Sequence, residues 1–253
     1  ECDVLVIGAG NAGTTSALRC QEEGASVILA EMQTYDEYDE YACDMACYNS
    51  KLFLDKGTPE IDATEVFNEY MRLSRGHAHQ KIVRDYATRS GEMLDWLTGH
   101  IPTEYVEKYA KTSNYKGNEN FNGECCGQKS WPAMTQWRDE ETNINMWPFV
   151  IRSVHTAFEE AGGAIKWGYQ GVVLVQDGDA VTGVDGAYHR INAKAVVMAA
   201  GDFGGNPDMR LDLADTMRNL AWSYGNDRTD ATSIGGMGRD GSGIRMCMWA
   251  GGT

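Results

Sequence analysis

The sequence predicts an α/β protein with a central parallel sheet, and three apolar runs support this fold class. Residues 4–7 (VLVI) are apolar and largely β-branched, as expected for a strand that is buried on both faces. A second apolar run, 26–30, follows a helical pattern at 14–24 and ends at Glu31. A third run, 193–199, occurs far along the chain. A strand, a helix and a second strand within about thirty residues are typical of a βαβ unit, whose strands are parallel.

A glycine motif, G-x-G-x-x-G, lies between the first strand and the helix, at Gly8, Gly10 and Gly13. Gly8 permits a tight turn, Gly10 lets a pyrophosphate approach the backbone, and Gly13 lets the helix pack closely on the strand. The N–H groups and the dipole at the helix start favour phosphate. Glu31 follows at the end of the second strand, where its carboxylate would accept the ribose hydroxyls. The motif therefore predicts a Rossmann-like dinucleotide-binding unit.

The segment after Glu31 leaves this alternating pattern, and residues 32–147 are predicted to form an irregular and helical insertion. Helical periodicity occurs at 63–75, with Asp62 as its N-cap, and again at 80–97. Residues 105–131 are rich in Asn, Gly and Lys and are expected to be exposed. In the predicted helix at 80–97, five residues fall near one face and are predicted to face the core: Ile82, Tyr86, Met93, Leu94 and Leu97.

The remainder of the chain returns to the sheet after another helical pattern at 147–161. Short strands are predicted to form a small β-rich patch, at 164–167, 171–176, 180–184 and 189–192. A nicotinamide-binding domain usually continues to alternate strands and helices after its second strand. The long detour before the strand at 193–199 therefore favours an extended FAD over NAD.

Composition excludes some functions. The chain of 253 residues has a formal net charge of −15, which argues against a protein that binds nucleic acid through a basic face. No apolar run approaches the roughly 18 residues that a membrane helix requires. We expect a soluble protein, located either in the cytoplasm or, after export, in a bacterial cell envelope.

Seven cysteines raise the question of a cluster. Cys43 and Cys47 are four residues apart and Cys125 and Cys126 are adjacent, so four thiols could bind an iron–sulfur cluster. Neither pair has the usual C-x-x-C spacing, and reduced structural thiols are the simpler interpretation. His77 and His79 flank a helix break and are interpreted as a surface pair, so no metal ligands are assigned.

Several blocks together resemble the FAD-binding domain of the fumarate reductase and succinate dehydrogenase flavoproteins, a family that includes urocanate reductases and ketosteroid dehydrogenases. The resemblance extends over nearly the whole chain and implies that the chain ends before the cap domain of such proteins. Their substrate-binding arginines and histidines would follow Thr253, so no catalytic residue is assigned. The blocks that resemble the family are residues 3–31, 95–97, 181–184, 193–204, 239–243 and 250–252.

The resemblance implies a set of cofactor contacts in addition to the three glycines. Ala12 would lie against the pyrophosphate and Glu31 against the ribose, with Met32 beside it. The backbone of Val172 would pair with adenine. The remaining implied contacts are Ala200 and Gly201 beside the nucleotide, Asp240 at the flavin, and Cys43 where a hydroxyl usually bonds the flavin.

Two positions depart from the family pattern. Residues 41–50 (YACDMACYNS) replace the family's Gly-Gly turns beside the flavin ring, and Asp202 replaces the second glycine of an A-T-G-G-F strand end. An acid at that second position is unfavourable beside a pyrophosphate unless its side chain turns away.

The expected function is that of an FAD-dependent oxidoreductase that reduces or forms an activated carbon–carbon double bond by hydride transfer. The substrate would be an unsaturated acid or ketone, and an electron-donor protein is a possible partner. Two alternatives stay open: an NAD-binding dehydrogenase domain, and a non-catalytic module that binds FAD and carries electrons.

Overall fold

The computed structural model describes residues 1–40, 44–113, 129, 131, 133–175, 178–183, 188–204, 206–213 and 240–252. The chain divides into two compact units. The first comprises Glu1–Tyr41 and Val154–Thr253, and the second comprises Ala42–Ser153.

Strands and helices alternate at the start of the chain and mix less regularly afterwards. In order, the elements are β1 (Cys2–Ile7), α1 (Asn11–Glu22), β2 (Val27–Glu31), β3 (Asp44–Ala46), α2 (Lys51–Leu54), α3 (Ala63–Leu73), α4 (Gln80–Thr98), α5 (Thr103–Tyr109), β4 (Ala110–Ser113), β5 (Met134–Trp137), α6 (Trp147–Glu160), β6 (Ala164–Trp167), β7 (Tyr169–Val175), β8 (Gly178–Gly183), β9 (Tyr188–Ile191), β10 (Ala193–Met198), α7 (Pro207–Leu213) and α8 (Ser242–Trp249).

The first unit contains a parallel sheet with the strand order β10-β1-β2-β6. Three of its four strands, β1, β2 and β10, are the three apolar runs of the sequence and pair in parallel, so the predicted parallel sheet is confirmed. The fourth strand corrects the prediction, because residues 164–167 were assigned to the β-rich patch. Strand β6 instead pairs in parallel with β2, Ile28 opposite Ala164 and Glu31 opposite Trp167. The sequence of a four-residue strand does not indicate which sheet the strand joins. The sheet is determined by the strand that lies beside it in the folded protein, here β2.

The predicted β-rich patch is a three-stranded antiparallel sheet, β7-β8-β9. Its edge strand β7 is irregular: Gly171 pairs with Val181 and Val173 with Ala180, so Val172 is the extra residue of a β-bulge. A Cβ added to Gly171 would lie 2.9 Å from a methyl carbon of Ile7 at the end of β1. This glycine therefore lets the small sheet pack closely on the parallel one.

The core of the first unit lies between these two sheets and on the face covered by α1. Leu5, Ile7 and Ala30 from the parallel strands form a cluster with Ile191 of β9. Leu5, Val6 and Ile7 of β1 are all buried. Because successive side chains of a strand point to opposite faces of the sheet, β1 is buried on both faces, as its apolar sequence predicts.

The second unit contains most of the predicted insertion, and its helix α4 corrects the predicted buried face. Ile82 is 67% exposed and Met93 40% exposed, whereas Leu94 and Leu97 are buried as predicted. A Cβ on Gly91 would lie 2.1 Å from the carbonyl oxygen of Tyr48, so the helix packs through this glycine onto another segment. Periodicity placed the largest apolar side chains on the predicted buried face. The face that is buried in the structure is instead the one that contains Gly91 and allows the contact with Tyr48. Its residues are Val83, Ala87, Ser90, Gly91, Leu94 and Leu97.

Two predicted irregular regions contain regular structure. The stretch after Glu31 contains β3, which pairs antiparallel with β5, and the predicted exposed insertion overlaps α5 and β4. Strands of three and four residues form here because β5 supplies partners on both sides. The predicted cap of α3 is confirmed, since Asp62 Oδ1 accepts a hydrogen bond of 2.8 Å from the Thr64 N–H.

The Glu69 carboxylate is a charged group on α3 that is well enclosed, with 6% exposure. Its oxygens accept two hydrogen bonds from the Arg72 guanidinium and one of 2.8 Å from the Lys129 N–H. Chiefly because of Arg72, the pKa of Glu69 falls to about 2. A carboxylate whose pKa is lowered by folding stabilises the protein fully above its ordinary pKa, and this contribution is lost as the pH falls towards the folded value.

We expect Glu69→Gln to lower the melting temperature at pH 7, and the deficit relative to the native protein to shrink as the pH falls from about 4.5 to about 2. Thermal unfolding followed by circular dichroism across this range is the measurement. Glu92→Gln is the matched control, because Glu92 pairs with Arg89 at the exposed surface and should change little at any pH. A deficit for Glu69→Gln that is equal at pH 7 and pH 2 would contradict the assignment.

Candidate functional site

Steric contacts explain two glycines of the motif directly. Gly8 has a φ of 99°, and a Cβ placed on it would lie 2.4 Å from the carbonyl oxygen of Ala199. A Cβ on Gly13 would lie only 1.7 Å from the carbonyl oxygen of Gly8. The first turn of α1 is therefore pressed against the end of β1, and any side chain at these positions would push it away.

Gly10 differs, because its backbone (φ −67°, ψ −173°) suits any residue. A Cβ there would meet a single group within 3.5 Å, the end of the Glu40 side chain, whose Oε2 atom would be 2.8 Å away. Among the described residues, the group in front of Gly10 is thus the end of one carboxylate side chain. Helix α1 begins at Asn11 and has no acidic residue in its first turn, so its positive end faces this space uncompensated by its own side chains. An anionic group such as a pyrophosphate fits here, and the exposed Ala12 lies at the same helix start.

Glu31 lies at the end of β2 as predicted and is only 5% exposed. Its Oε2 accepts a hydrogen bond of 2.7 Å from the Ala9 N–H, and its Oε1 accepts one of 2.9 Å from the Gln33 N–H. An ionised carboxylate has about four acceptor positions, so these two bonds orient Glu31 and leave capacity for two hydroxyls. Met32, next to it, is 43% exposed.

Sequence analysis missed three residues that surround the glycine turn. The Ala9 carbonyl accepts hydrogen bonds from Thr14 Oγ1 at 2.7 Å and from the Tyr38 hydroxyl at 2.8 Å. The Thr14 oxygen is 3.0 Å from Nε2 of His155. All three side chains are buried. Thr14 follows the motif directly, but no sequence signal links it to a histidine 141 residues away.

Three more predicted contact residues lie near the carboxyl ends of the parallel strands. The Ala200 Cα would be 3.2 Å from a Cβ on Gly8, so the end of β10 touches the glycine turn. Gly201 has a φ of 79° and is exposed, and no described residue would lie within 4 Å of an added Cβ. Val172 lies at the bulge of β7, and its side chain is 36% exposed rather than part of the core.

The two acidic residues near this edge have local hydrogen bonds. Asp202 Oδ1 accepts a bond of 2.7 Å from the Gly204 N–H, so this carboxylate closes its own turn. Asp240 Oδ1 accepts one of 2.8 Å from the Ser242 N–H, at the beginning of α8. The Gly241 N–H donates to the Asp202 carbonyl, which joins the two acidic turns. Asp240 is thus placed beside the strand end that Asp202 follows.

The thiols do not support a cluster within the described residues. Cys43, Cys125 and Cys126 lie outside those residues. Cys47 is 2% exposed, and burial, with a smaller effect of Asp95, raises its pKa to about 12. Of the four thiols considered for a cluster, only that of Cys47 therefore has a described position, and it is buried.

Among the described residues, no three His, Cys, Asp or Glu side chains are grouped so that they could bind a metal ion. His77 and His79 are exposed, in agreement with their interpretation as a surface pair.

The chain was compared with known protein families, and one family matches nearly its whole length. Residues 3–253 match the family described as FAD binding domain. The chain belongs to this family. The match covers the glycine turn, Glu31, the bulge at Val172 and the turn at Asp240. It confirms the family that the sequence blocks resembled and makes FAD the expected cofactor of the site.

Individual relatives agree with this assignment. The chain is 27% identical over 238 residues to a vinyl phenol reductase of Lactiplantibacillus plantarum, covering 92% of this chain and 44% of the relative. The open conformation of a flavocytochrome c3 fumarate reductase matches 98% of this chain and 40% of its own, with a TM-score of 0.67 and 22% identity. A 3-ketosteroid-Δ4-(5α)-dehydrogenase from Rhodococcus jostii matches 98% of this chain and 53% of its own, with a TM-score of 0.70 and 18% identity.

The chain therefore spans about half the length, or less, of each of these relatives. The two solved structures show that the fold is shared. In the part of the chain that the structure describes, no helix is both long and apolar enough to cross a membrane.

Alanine at two motif glycines should separate folding from cofactor binding. Gly13→Ala creates an impossible contact with Gly8 and should destabilise the protein by at least about 2 kcal/mol. Gly10→Ala should lower the melting temperature much less, because its backbone suits any residue and the described group that an added Cβ would meet is a side-chain oxygen rather than backbone, yet it should weaken FAD binding more than about tenfold. Thermal unfolding and fluorescence titration with FAD measure the two effects. FAD binding by Gly10→Ala at native affinity would exclude this surface as the pyrophosphate site.

The Glu40 carboxylate should compete with the pyrophosphate for the space before Gly10. We expect Glu40→Gln to tighten FAD binding by about threefold to tenfold, because a doubly charged pyrophosphate no longer has to displace a negative group from the helix start. The gain should shrink at higher ionic strength. Glu37→Gln is the matched control, since Glu37 is exposed and bonds Thr34 in the same segment. Equal FAD affinities for native protein and Glu40→Gln at low salt would refute the competition.

Proposed function

We propose that this chain binds FAD at the glycine turn as the nucleotide-holding part of an oxidoreductase that reduces or forms an activated carbon–carbon double bond. The observation that supports this most directly is the start of α1 at Gly10: the helix has no acid of its own in the first turn, and among the described residues a Cβ on Gly10 would meet the end of the Glu40 side chain and no backbone atom. A buried and oriented Glu31 lies one strand away. These two features suit the pyrophosphate and the ribose of one dinucleotide.

We assign the cofactor contacts along this edge of the parallel sheet. The glycine turn from Gly8 to Gly13, with Ala12, would bind the pyrophosphate, and Glu31, with Met32 beside it, would bind the ribose. The backbone at the Val172 bulge would pair with adenine, because a bulge interrupts the ladder that otherwise occupies strand N–H and carbonyl groups. The proposed remaining contacts are Ala200, Gly201, Asp240 and Cys43, of which Cys43 lies outside the described residues.

The whole chain, 1–253, would then be one FAD-binding domain in which 32–147 is an insertion. When bound, FAD supplies a centre that gives or accepts a hydride. The residues of this chain orient that centre by holding the pyrophosphate and the ribose, and they exclude water from the adenosine end through the buried groups around Ala9. No residue here is assigned to proton transfer, because the chain spans only part of its relatives.

The proposed substrate class is supported by the reactions in the names of the relatives, which involve a carbon–carbon double bond. These relatives are described as reductases of vinyl phenol or fumarate and as a 3-ketosteroid dehydrogenase. We propose a small unsaturated acid or ketone as the substrate and an electron-donor protein as the partner that reduces the flavin.

A non-catalytic module that binds FAD and carries electrons is the second candidate function. A nucleotide-binding site by itself suits such a module as well as it suits an oxidoreductase.

The decisive experiment is an absorbance spectrum of the purified protein, followed by anaerobic reduction and reoxidation. We expect bound FAD, bleaching by dithionite, and recovery of the oxidised spectrum when fumarate, 4-vinylphenol or a 3-ketosteroid with a conjugated double bond is added. Recovery only with a one-electron acceptor such as ferricyanide would favour the electron-carrying module. Tight NAD binding by a colourless protein would overturn the FAD assignment.

A further inference from the structure

Ala9, in the middle of the glycine turn, has both its N–H and its carbonyl, which belong to two successive peptide groups, bonded by buried side chains. Its N–H donates to Glu31, and its carbonyl accepts from both Thr14 and Tyr38. Ala9 itself is fully buried. The Ala9 carbonyl belongs to the Ala9–Gly10 peptide group, and the orientation of that group sets the direction of the backbone that follows, at Gly10 and the start of α1, where the pyrophosphate is proposed to bind.

His155 of α6 determines how Thr14 can take part in this arrangement. A threonine hydroxyl has one hydrogen, and Thr14 gives it to the Ala9 carbonyl, which can only accept. The contact of 3.0 Å between the Thr14 oxygen and His155 Nε2 is therefore a bond that the imidazole N–H donates. His155 thus keeps the Thr14 hydroxyl turned towards Ala9.

The imidazole ring is itself oriented by two aromatic side chains. Its centroid is 5.2 Å from that of Tyr38 and 5.4 Å from that of Trp167, both in edge-to-face arrangements. Tyr38 and Trp167 also contact each other at 5.2 Å. Trp167 lies opposite Glu31 in the sheet register, so this aromatic triangle stands beside the predicted ribose-binding residue. The ring of His155 is enclosed, with 4% exposure.

We propose that His155 is a positioning residue for the cofactor: through Thr14, and together with Tyr38, it holds the Ala9 peptide so that the glycine turn presents its N–H groups to the FAD pyrophosphate. This inference rests on the proposed function. It adds a residue on α6, far from the motif in sequence, to the groups that set the affinity for the dinucleotide.

Two pairs of variants test the role of His155. His155→Leu removes the donor and keeps an apolar side chain, and Thr14→Val removes the hydroxyl at nearly constant volume. Each should weaken binding of FAD, and of ADP, which shares the pyrophosphate and ribose, by about tenfold. The matched controls are His155→Gln, which retains an N–H donor, and Thr14→Ser, which retains the hydroxyl. Both should bind FAD within about threefold of the native protein.

The double variant His155→Leu/Thr14→Val distinguishes positioning from simple packing. If His155 acts through Thr14, the double variant should bind FAD no more weakly than Thr14→Val alone. Additive losses, or equal losses for His155→Leu and His155→Gln, would overturn the proposal. Isothermal titration with FAD and ADP gives the affinities, and the melting temperature of each ligand-free variant shows whether it is folded.

The outcomes for the two proposals are separable. A native protein that binds neither FAD nor ADP would refute the proposed function. A native protein that binds both, together with Thr14→Val at native affinity, would refute the role of His155 and leave the proposed function intact. Should His155→Leu fail to fold, Thr14→Val and Thr14→Ser still decide whether the hydroxyl on Ala9 controls affinity.

Discussion

The close approach of helix α1 to the end of β1 is the constraint on which this site depends. The first turn of the helix packs where a single Cβ on Gly13 would collide with the backbone of Gly8. Gly8 in turn lies against the Ala199 carbonyl at the end of β10. Because the backbones meet without intervening side chains, the positive end of the helix is placed at the carboxyl edge of the parallel sheet. The proposed anion site, Glu31 as the proposed ribose contact, and the strand end at Ala200 all lie around this contact.

A second feature follows from burying a turn so deeply: every polar group of its backbone needs a partner. At Ala9 these partners are side chains that belong to distant segments, namely Glu31, Tyr38 and Thr14, with His155 behind Thr14. A turn that is held in this way does not have to be ordered when the ligand binds, which lowers the entropic cost of binding. The same bonds satisfy the buried backbone and shape the site.

The limits of sequence-based prediction are visible in particular elements. The unit β1–α1–β2 was predicted because long apolar runs and a glycine motif are local signals. The short strands β6 and β3 were placed wrongly or missed, because three or four residues become a strand only when a partner strand lies beside them. The buried face of α4 was misjudged because apolar side chains were given more weight than Gly91, whose lack of a side chain allows the contact with Tyr48.

The sequence by itself determined the βαβ unit, the positions of the three motif glycines and Glu31, and the resemblance to the flavoprotein family that the family comparison then confirmed. All of these rest on residues close together in the chain or on short recognisable blocks. Only the tertiary structure decided that Val172 lies at a bulge, that the Asp202 side chain closes its own turn, and that His155 reaches Thr14. The physical reason is that hydrogen bonds between buried groups depend on distance in space, and a separation of 141 residues leaves no periodicity from which that distance could be predicted.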